Sequence, residues 1–211
     1  MSPERTPDMF DAWAEEYDYY LDVGKNNFPL IGYNRVLDRI VELAEPEPHH
    51  KILDVGIGTG NLAQRFVKYN CEIWGIDFSS RMLEEAAKKL PNIRLLQVNV
   101  LSDWPPELKV RFNRIVSGYT IHHLKLAEKV VAIERMSRDL LEPSGLIIIG
   151  DVSFQTIKAR DMARKKLGSE WDDDEFYWAA DEILESLLEK GINVVYEQIS
   201  EYAGIYKIRR G

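Results

Sequence analysis

A single cysteine, Cys71, in a chain of 211 residues rules out an internal disulfide and leaves too few thiols for a structural zinc set. Long apolar runs are absent as well. The longest, around "GLIIIG", falls far short of the roughly 20 residues a membrane helix needs, and the opening "MSPERTPDMF" has no basic-then-apolar leader. Basic residues are in deficit, 27 against 35 acidic, and nowhere form a block, so the net charge of -8 gives no attraction to nucleic acid or an anionic membrane. Internal repeats and low-complexity tracts are missing too. Cytoplasm is the default address, the partner expected is a small molecule, and the chain is expected to be a monomer or homodimer. With 45% hydrophobic and 29% charged residues, the chain has the balance of one soluble domain over 1–211.

"TPDMFDAWAEEYDYYL" puts Phe10, Trp13, Ala14, Tyr17 and Leu21 at helical spacing, with Thr6-Pro7 as cap and first helical residue. A second helix is expected from about Pro29, burying Tyr33, Leu37, Ile40 and Val41, as far as the "EPEPHH" linker. From Lys51 strands and helices alternate: "KILDV", a helix near 60–69, "EIWGID", a helix near 80–90, "NIRLLQV", "FNRIVSG", a helix near 125–141, and "GLIIIGDV". Apolar runs joined by helices predict an α/β fold whose parallel sheet is covered on both faces. A helix near 174–190, its first turn formed by "WDDDEFYW", precedes "INVVYEQIS" and "EYAGIYKIRR", two strands with no helix between them and therefore an antiparallel hairpin at a sheet edge.

"ILDVGIGTGN" carries the chemistry. Gly56, Gly58 and Gly60 follow a buried strand, so the chain turns sharply and its N–H groups can approach a ligand. The dinucleotide fingerprint has a third glycine where this chain has Asn61. Asp77, ending the second strand in "GIDFSS", can accept both hydrogen bonds of a ribose diol; capping the next helix is its alternative role, although Ser79 and Ser80 are better placed for that.

With "FDAWAEEYD", "GYNRVLDRIV", "IVSGYTIHHL" and the late "FYW", these motifs resemble the class I S-adenosylmethionine (AdoMet)-dependent methyltransferases over essentially the whole chain, in particular the small bacterial ones of the YrrT type. The resemblance implies a Rossmann-like fold with a seven-stranded, mostly parallel sheet and an antiparallel C-terminal hairpin at 192–210. It further implies an N-terminal helical lid (1–45), an AdoMet-binding core (51–151) and a variable acceptor region (152–190). Carried over residue by residue, it implies that AdoMet meets Gly56, Gly58 and Gly60. Asp54 would lie near its ammonium, Asp77 at the ribose, Phe78 and Met82 around adenine, Asn99 and Val100 at the adenine edge, Ser117 at the methionine end, and Tyr17 over the sulfonium. Asn99 stands where the family usually has an acid, which makes that contact neutral. Asn113, often aspartate in the family, lies at the start of the fourth strand and is read as structural.

On the acceptor side Trp13, Tyr33, Tyr119, Phe176 and Tyr177 are candidate walls, with core packing as the alternative for Trp13. His122 or His123 is a candidate base, or a strand-end polar group satisfied by backbone, and one of the pair could cap the helix after Lys125. No metal is expected. Adjacent residues in extended backbone point to opposite sides, and no third ligand is evident. The implied activity is methyl transfer to a small-molecule acceptor by in-line displacement. A non-catalytic AdoMet-binding module and an NAD-dependent oxidoreductase are the other readings.

Overall fold

The computed structural model of the chain describes residues 10–12, 14–24 and 27–210. The Thr6-Pro7 cap and Trp13 lie outside the described residues. The aromatic first helix is interrupted: residues 10–12 are helical, a turn follows over 14–16, and helix α1 spans Tyr17–Gly24. Helix α2, Tyr33–Ala44, starts later than the sequence predicts because turns over 28–32 end at Gly32, whose φ is 85°. It buries Leu37, Ile40 and Val41 as the spacing predicts, with Val36 and Ala44 beside them, while Tyr33 is half-buried.

The strands are β1 (Lys51–Val55), β2 (Glu72–Asp77), β3 (Arg94–Gln97), β4 (Phe112–Gly118), β5 (Leu141–Phe154), β6 (Trp178–Ala179), β7 (Asn193–Gln198) and β8 (Ala203–Arg209). The helices between them are α3 (Ser80–Lys89), α4 (Leu126–Arg135), α5 (Ile157–Leu167) and α6 (Ala180–Leu188). The main sheet runs β3-β2-β1-β4-β5-β8-β7, with the two-residue β6 pairing beside the end of β5. β1 to β5 are parallel, and β8 runs antiparallel between β5 and β7, so the expected hairpin forms the edge. Asn113 joins β1 to β4 at their starts, accepting from Lys51 N–H at 2.8 Å.

The helix expected after the glycines is present as a 3-10 helix, Ala63–Tyr69. One expectation is corrected. "WDDDEFYW" is a turn followed by extended backbone, and α6 begins only at Ala180, with Asp181 and Glu182 as the acids of its first turn.

Apolar side chains cover both faces of the sheet. Helix α2 seals one face closely: a Cβ on Gly150 would lie 2.5 Å from Val36 Cγ1, and one on Gly118 would lie 2.9 Å from Leu37 Cδ2. Each such fully buried Val, Leu or Ile contributes about 1.5–3 kcal/mol. This seating fixes where the N-terminal segment meets the carboxyl ends of β1 and β4.

Candidate active site

The strand order reverses at β1, whose neighbours are β2 and β4, and ligands of open α/β sheets bind at such a switch point beyond the carboxyl ends. A cavity of about 370 Å³ lies there. Among the described residues that line it there is no Lys or Arg, whereas Asp54, Asp77, Glu170, Asp172 and Glu175 all do.

Its floor is the glycine turn. Gly56 and Ile57 donate N–H bonds to Ile76 O at 2.8 and 3.0 Å, which ties the loop to β2. Gly58 N–H donates to Asp77 Oδ2 at 2.9 Å, and Ser79 N–H donates to Asp77 Oδ1 at 3.0 Å. Ser79 caps α3, its Oγ accepting from Met82 N–H at 3.1 Å, which frees Asp77 from capping. Gly60 packs against α3 instead of lining the cavity, 3.0 Å from Leu90 Cδ1 for an added Cβ. Burial pushes Asp77 above the usual carboxylate range, with its three N–H neighbours opposing.

Asp54 is the most exposed to cost. It is 1% accessible, and neither carboxylate oxygen has a hydrogen-bond partner among the described residues. Burial, then the charge of Asp77, raises its pKa to about 8; the Ala63 amide favours the charged form without reaching hydrogen-bond geometry. Tyr119 is the second unpartnered group. Its φ of 53° is unusual for a bulky residue, its N–H is held by Gly150 O at 2.9 Å, and its buried hydroxyl has no partner among the described residues. Its ring lies 4.9 Å from that of Tyr33. Burial holds the Tyr17, Tyr33 and Tyr119 hydroxyls well above the usual phenol value, so all three stay protonated donors.

The N-terminal segment closes over this floor. Phe10 packs edge-on to Phe78 at 4.8 Å and joins Ala14 and Met82 in a small apolar cluster. Asp11 accepts from Ser79 Oγ at 2.5 Å, and Asp18 accepts from Thr59 Oγ1 at 2.6 Å, Asn61 Nδ2 at 2.9 Å and Lys89 Nζ at 2.7 Å. Asn61, which sequence reading treats only as a missing glycine, is thus part of a latch. Asp18→Ala is expected to weaken ligand binding three- to tenfold and to raise amide exchange across α1 without moving the unfolding midpoint more than a few degrees, checked by calorimetry and hydrogen exchange.

At the far end stands "SGYTIHHL". Ile121–His123 is a 3-10 turn, not extended backbone, and the two imidazoles sit on one side with centroids 4.1 Å apart. His122 Nδ1 is 2.5 Å from Asp151 Oδ1, while its N–H and Trp178 Nε1 donate to Asp151 Oδ2 at 2.8 and 3.0 Å. His123 Nδ1 is 2.8 Å from Glu175 Oε2, and His122 Nε2 is 3.5 Å from the same oxygen. Burial disfavours the imidazolium of His122, but Asp151 and Glu175 outweigh it and raise its pKa. Neither histidine caps α4: Lys125 N–H is taken by Glu128 Oε2 at 2.8 Å. Buried Lys129 fastens this end, donating to Leu124 O at 2.8 Å and to Phe176 O, and burial lowers its pKa to about 8.

Of the sequence-predicted residues, Tyr17, Tyr33, Asp54, Gly56, Gly58, Asp77, Phe78, Met82, Tyr119, His122, His123 and Tyr177 meet around one cavity. Besides Gly60, four others do not line it. Ser117 is buried beneath, donating to Val55 O at 2.8 Å, and leaves the rim to Gly118 and Tyr119. The Asn99 amide oxygen takes Leu101 N–H at 2.9 Å in an exposed turn, and Val100 packs on the second core. Phe176 faces a separate cleft with Lys129 and Arg160, because extended backbone alternates and Tyr177 takes the inward position. Sequence reasoning missed Asp151 and Glu175, which lie 29 and 52 residues from the histidines they hold.

Residues 52–145 match the family model described as a methyltransferase domain. An uncharacterized methyltransferase of Geobacillus kaustophilus is 31% identical over 156 residues, covering 72% of this chain and 69% of that one. The uncharacterized methyltransferase YrrT of Halobacillus halophilus is 28% identical over 216 residues, 97% of each. Among solved structures, the DhpI-SAM-HEP complex superposes with a TM-score of 0.73 at 17% identity, over 96% of this chain and 94% of that one.

Proposed function

Since the chain belongs to the class I S-adenosylmethionine-dependent methyltransferases, we propose that it methylates a small-molecule acceptor in the cavity at the switch point, by in-line displacement. AdoMet supplies a methyl group already activated by its sulfonium. The observation that carries the reading is the pair of buried carboxylates, Asp54 and Asp77, in a cavity with no Lys or Arg among its described lining residues. A cationic donor suits that field. The unpartnered Asp54 oxygens and Tyr119 hydroxyl are groups such a ligand would satisfy. The oxidoreductase reading of the glycine turn falls with the family.

In this reading Asp77 holds the ribose hydroxyls, exchanging its hold on Gly58 N–H, and Asp54 faces the ammonium. Phe78, Met82 and Phe10 enclose the adenine. Tyr17 closes the lid formed by the described N-terminal residues, and Tyr33, Tyr119 and Tyr177 bound the acceptor space. The acceptor atom loses its proton, bonds to the methyl carbon, and the carbon–sulfur electron pair returns to sulfur. His122 and His123 are the groups at that end able to take or orient the proton. Alignment and exclusion of water can lower the barrier by ~7–11 kcal/mol.

Asp77→Ala should weaken AdoMet at least tenfold, about 1.4 kcal/mol, by calorimetry; unchanged affinity would remove Asp77 from the site. Ligands co-purified with the protein, identified by mass spectrometry, and a screen of small molecules with labelled AdoMet then identify the acceptor. Binding without transfer to any acceptor would favour a binding module. Among the described residues no helix is long and apolar enough to cross a membrane.

A further inference from the structure

His122, His123 and Glu175 each offer one ligand atom, and these atoms lie within 4.8 Å of one another on the cavity wall. We propose that they hold a divalent transition-metal ion that binds the acceptor. The inference rests on the reading that this end of the cavity receives the acceptor.

Three features carry it. First, the donor set is two imidazoles and one carboxylate, which suits first-row divalent ions and leaves coordination positions open for a substrate. Ligand atoms at ~2.0–2.2 Å from such an ion stand about 3.0–3.5 Å apart; the Glu175 oxygen is 2.8 Å from His123 Nδ1 and 3.5 Å from His122 Nε2. Second, the Asp151 carboxylate, 0% accessible and 2.5 Å from His122 Nδ1, fixes that ring through Nδ1 and leaves Nε2, 3.5 Å from Glu175 Oε2, as the nitrogen that would give up its proton and bind the ion. A carboxylate behind a metal-binding histidine is the usual arrangement at metal sites, and it raises the basicity of the ligating nitrogen. Third, the surrounding field favours a dication: Glu170 and Asp172 also line the cavity, no Lys or Arg does among its described lining residues, and buried Lys129 is directed at the carbonyls of Leu124 and Phe176. The sequence argument against a metal assumed extended backbone at 122–123, and the 3-10 turn removes that premise.

The class of acceptor follows. It carries a hydroxyl, phenol or enol whose oxygen ligates the ion and faces the methyl group. Bound to the ion, that atom loses its proton to water more readily, then attacks the methyl carbon as the carbon–sulfur pair returns to sulfur. With the imidazole lone pairs on the ion, the ion takes over from His122 or His123 as the means of removing the proton.

The test uses the full chain, stripped with chelator and titrated with Co²⁺ as probe. One Co²⁺ per chain with visible d–d absorption is expected. Glu175→Gln and His123→Gln should weaken binding at least a hundredfold, and Asp151→Asn about 10–100-fold. His49→Ala/His50→Ala, in the linker, should bind as the parent does. No stoichiometric binding by the parent protein, or binding unaltered in both Glu175→Gln and His123→Gln, would overturn the proposal. Calorimetry of AdoMet with the stripped protein is read separately. Loss of donor binding there would count against the methyltransferase site, whereas Co²⁺ stoichiometry speaks only to the ion.

Discussion

Asp54→Asn is expected to make the protein more stable at pH 8 and a poorer binder of AdoMet. Asp54 is 1% accessible with no hydrogen-bond partner among the described residues, and its pKa stands at about 8. A carboxyl raised in the folded state binds more protons there than in the unfolded chain, so its contribution to stability falls as pH rises from about 4 toward 8. Asparagine has nearly the same shape and no charge to bury beside Asp77. The variant and parent should therefore come closest below about pH 4 and diverge as pH rises, by roughly 2 kcal/mol or more at pH 8, about 4–8 °C in midpoint for a chain of this size. Donor binding should move the other way. Between pH 6 and 7.5, below the ~8 at which an α-amino group itself titrates, binding by the parent should tighten and release a proton. Asp54→Asn should show neither effect and bind at least tenfold more weakly, measured by calorimetry in buffers of different ionisation enthalpy. Parallel pH–stability curves would mean that Asp54 finds a partner in solution. Such an exchange of stability for binding is what a preformed cation site entails.

The parts of this design differ in how far the amino-acid sequence discloses them. β1, β2 and β5 are apolar runs buried on both faces, so "KILDV", "EIWGID" and "GLIIIGDV" announce themselves, and the glycines and Asp77 follow from their place at strand ends. The latch is different. Asp18, Asn61 and Lys89 meet across gaps of 43 and 28 residues through side chains that would be unremarked on any solvated surface. Asp151 and Glu175 are likewise invisible locally: one sits within the apolar run of β5, the other in an acidic run that reads as a helix start. The local backbone of the histidine pair misleads as well, because a three-residue 3-10 turn has no periodicity to detect. Asn99 and Val100, which family likeness puts at the adenine edge, do not line the cavity, because the chain turns after β3.

Gly56 and Gly58 look equivalent in the motif, yet their replacement by alanine should have opposite signatures. Both have positive φ, 69° and 53°, so either alanine costs about 1–2 kcal/mol in backbone conformation. At Gly56 the new methyl would also lie 2.1 Å from Thr120 Cγ2 and 2.5 Å from Thr120 Oγ1, which itself donates to Gly56 O at 3.1 Å. The loops after β1 and β4 must then part, adding roughly 1–3 kcal/mol of overpacking. Against a total of about 5–15 kcal/mol, Gly56→Ala should lower the unfolding midpoint strongly, and Thr120→Ala in the same chain should restore part of it. At Gly58 the methyl meets nothing within 4 Å, so the chain should fold with a modest loss. Its amide, however, is the loop amide that holds Asp77 Oδ2, and the residue lines the cavity. Gly58→Ala should therefore lose at least tenfold in AdoMet affinity while keeping most of its stability. If thermal unfolding and calorimetry found the same balance of effects in both variants, the division between a glycine that joins two loops and one that admits a ligand would be wrong.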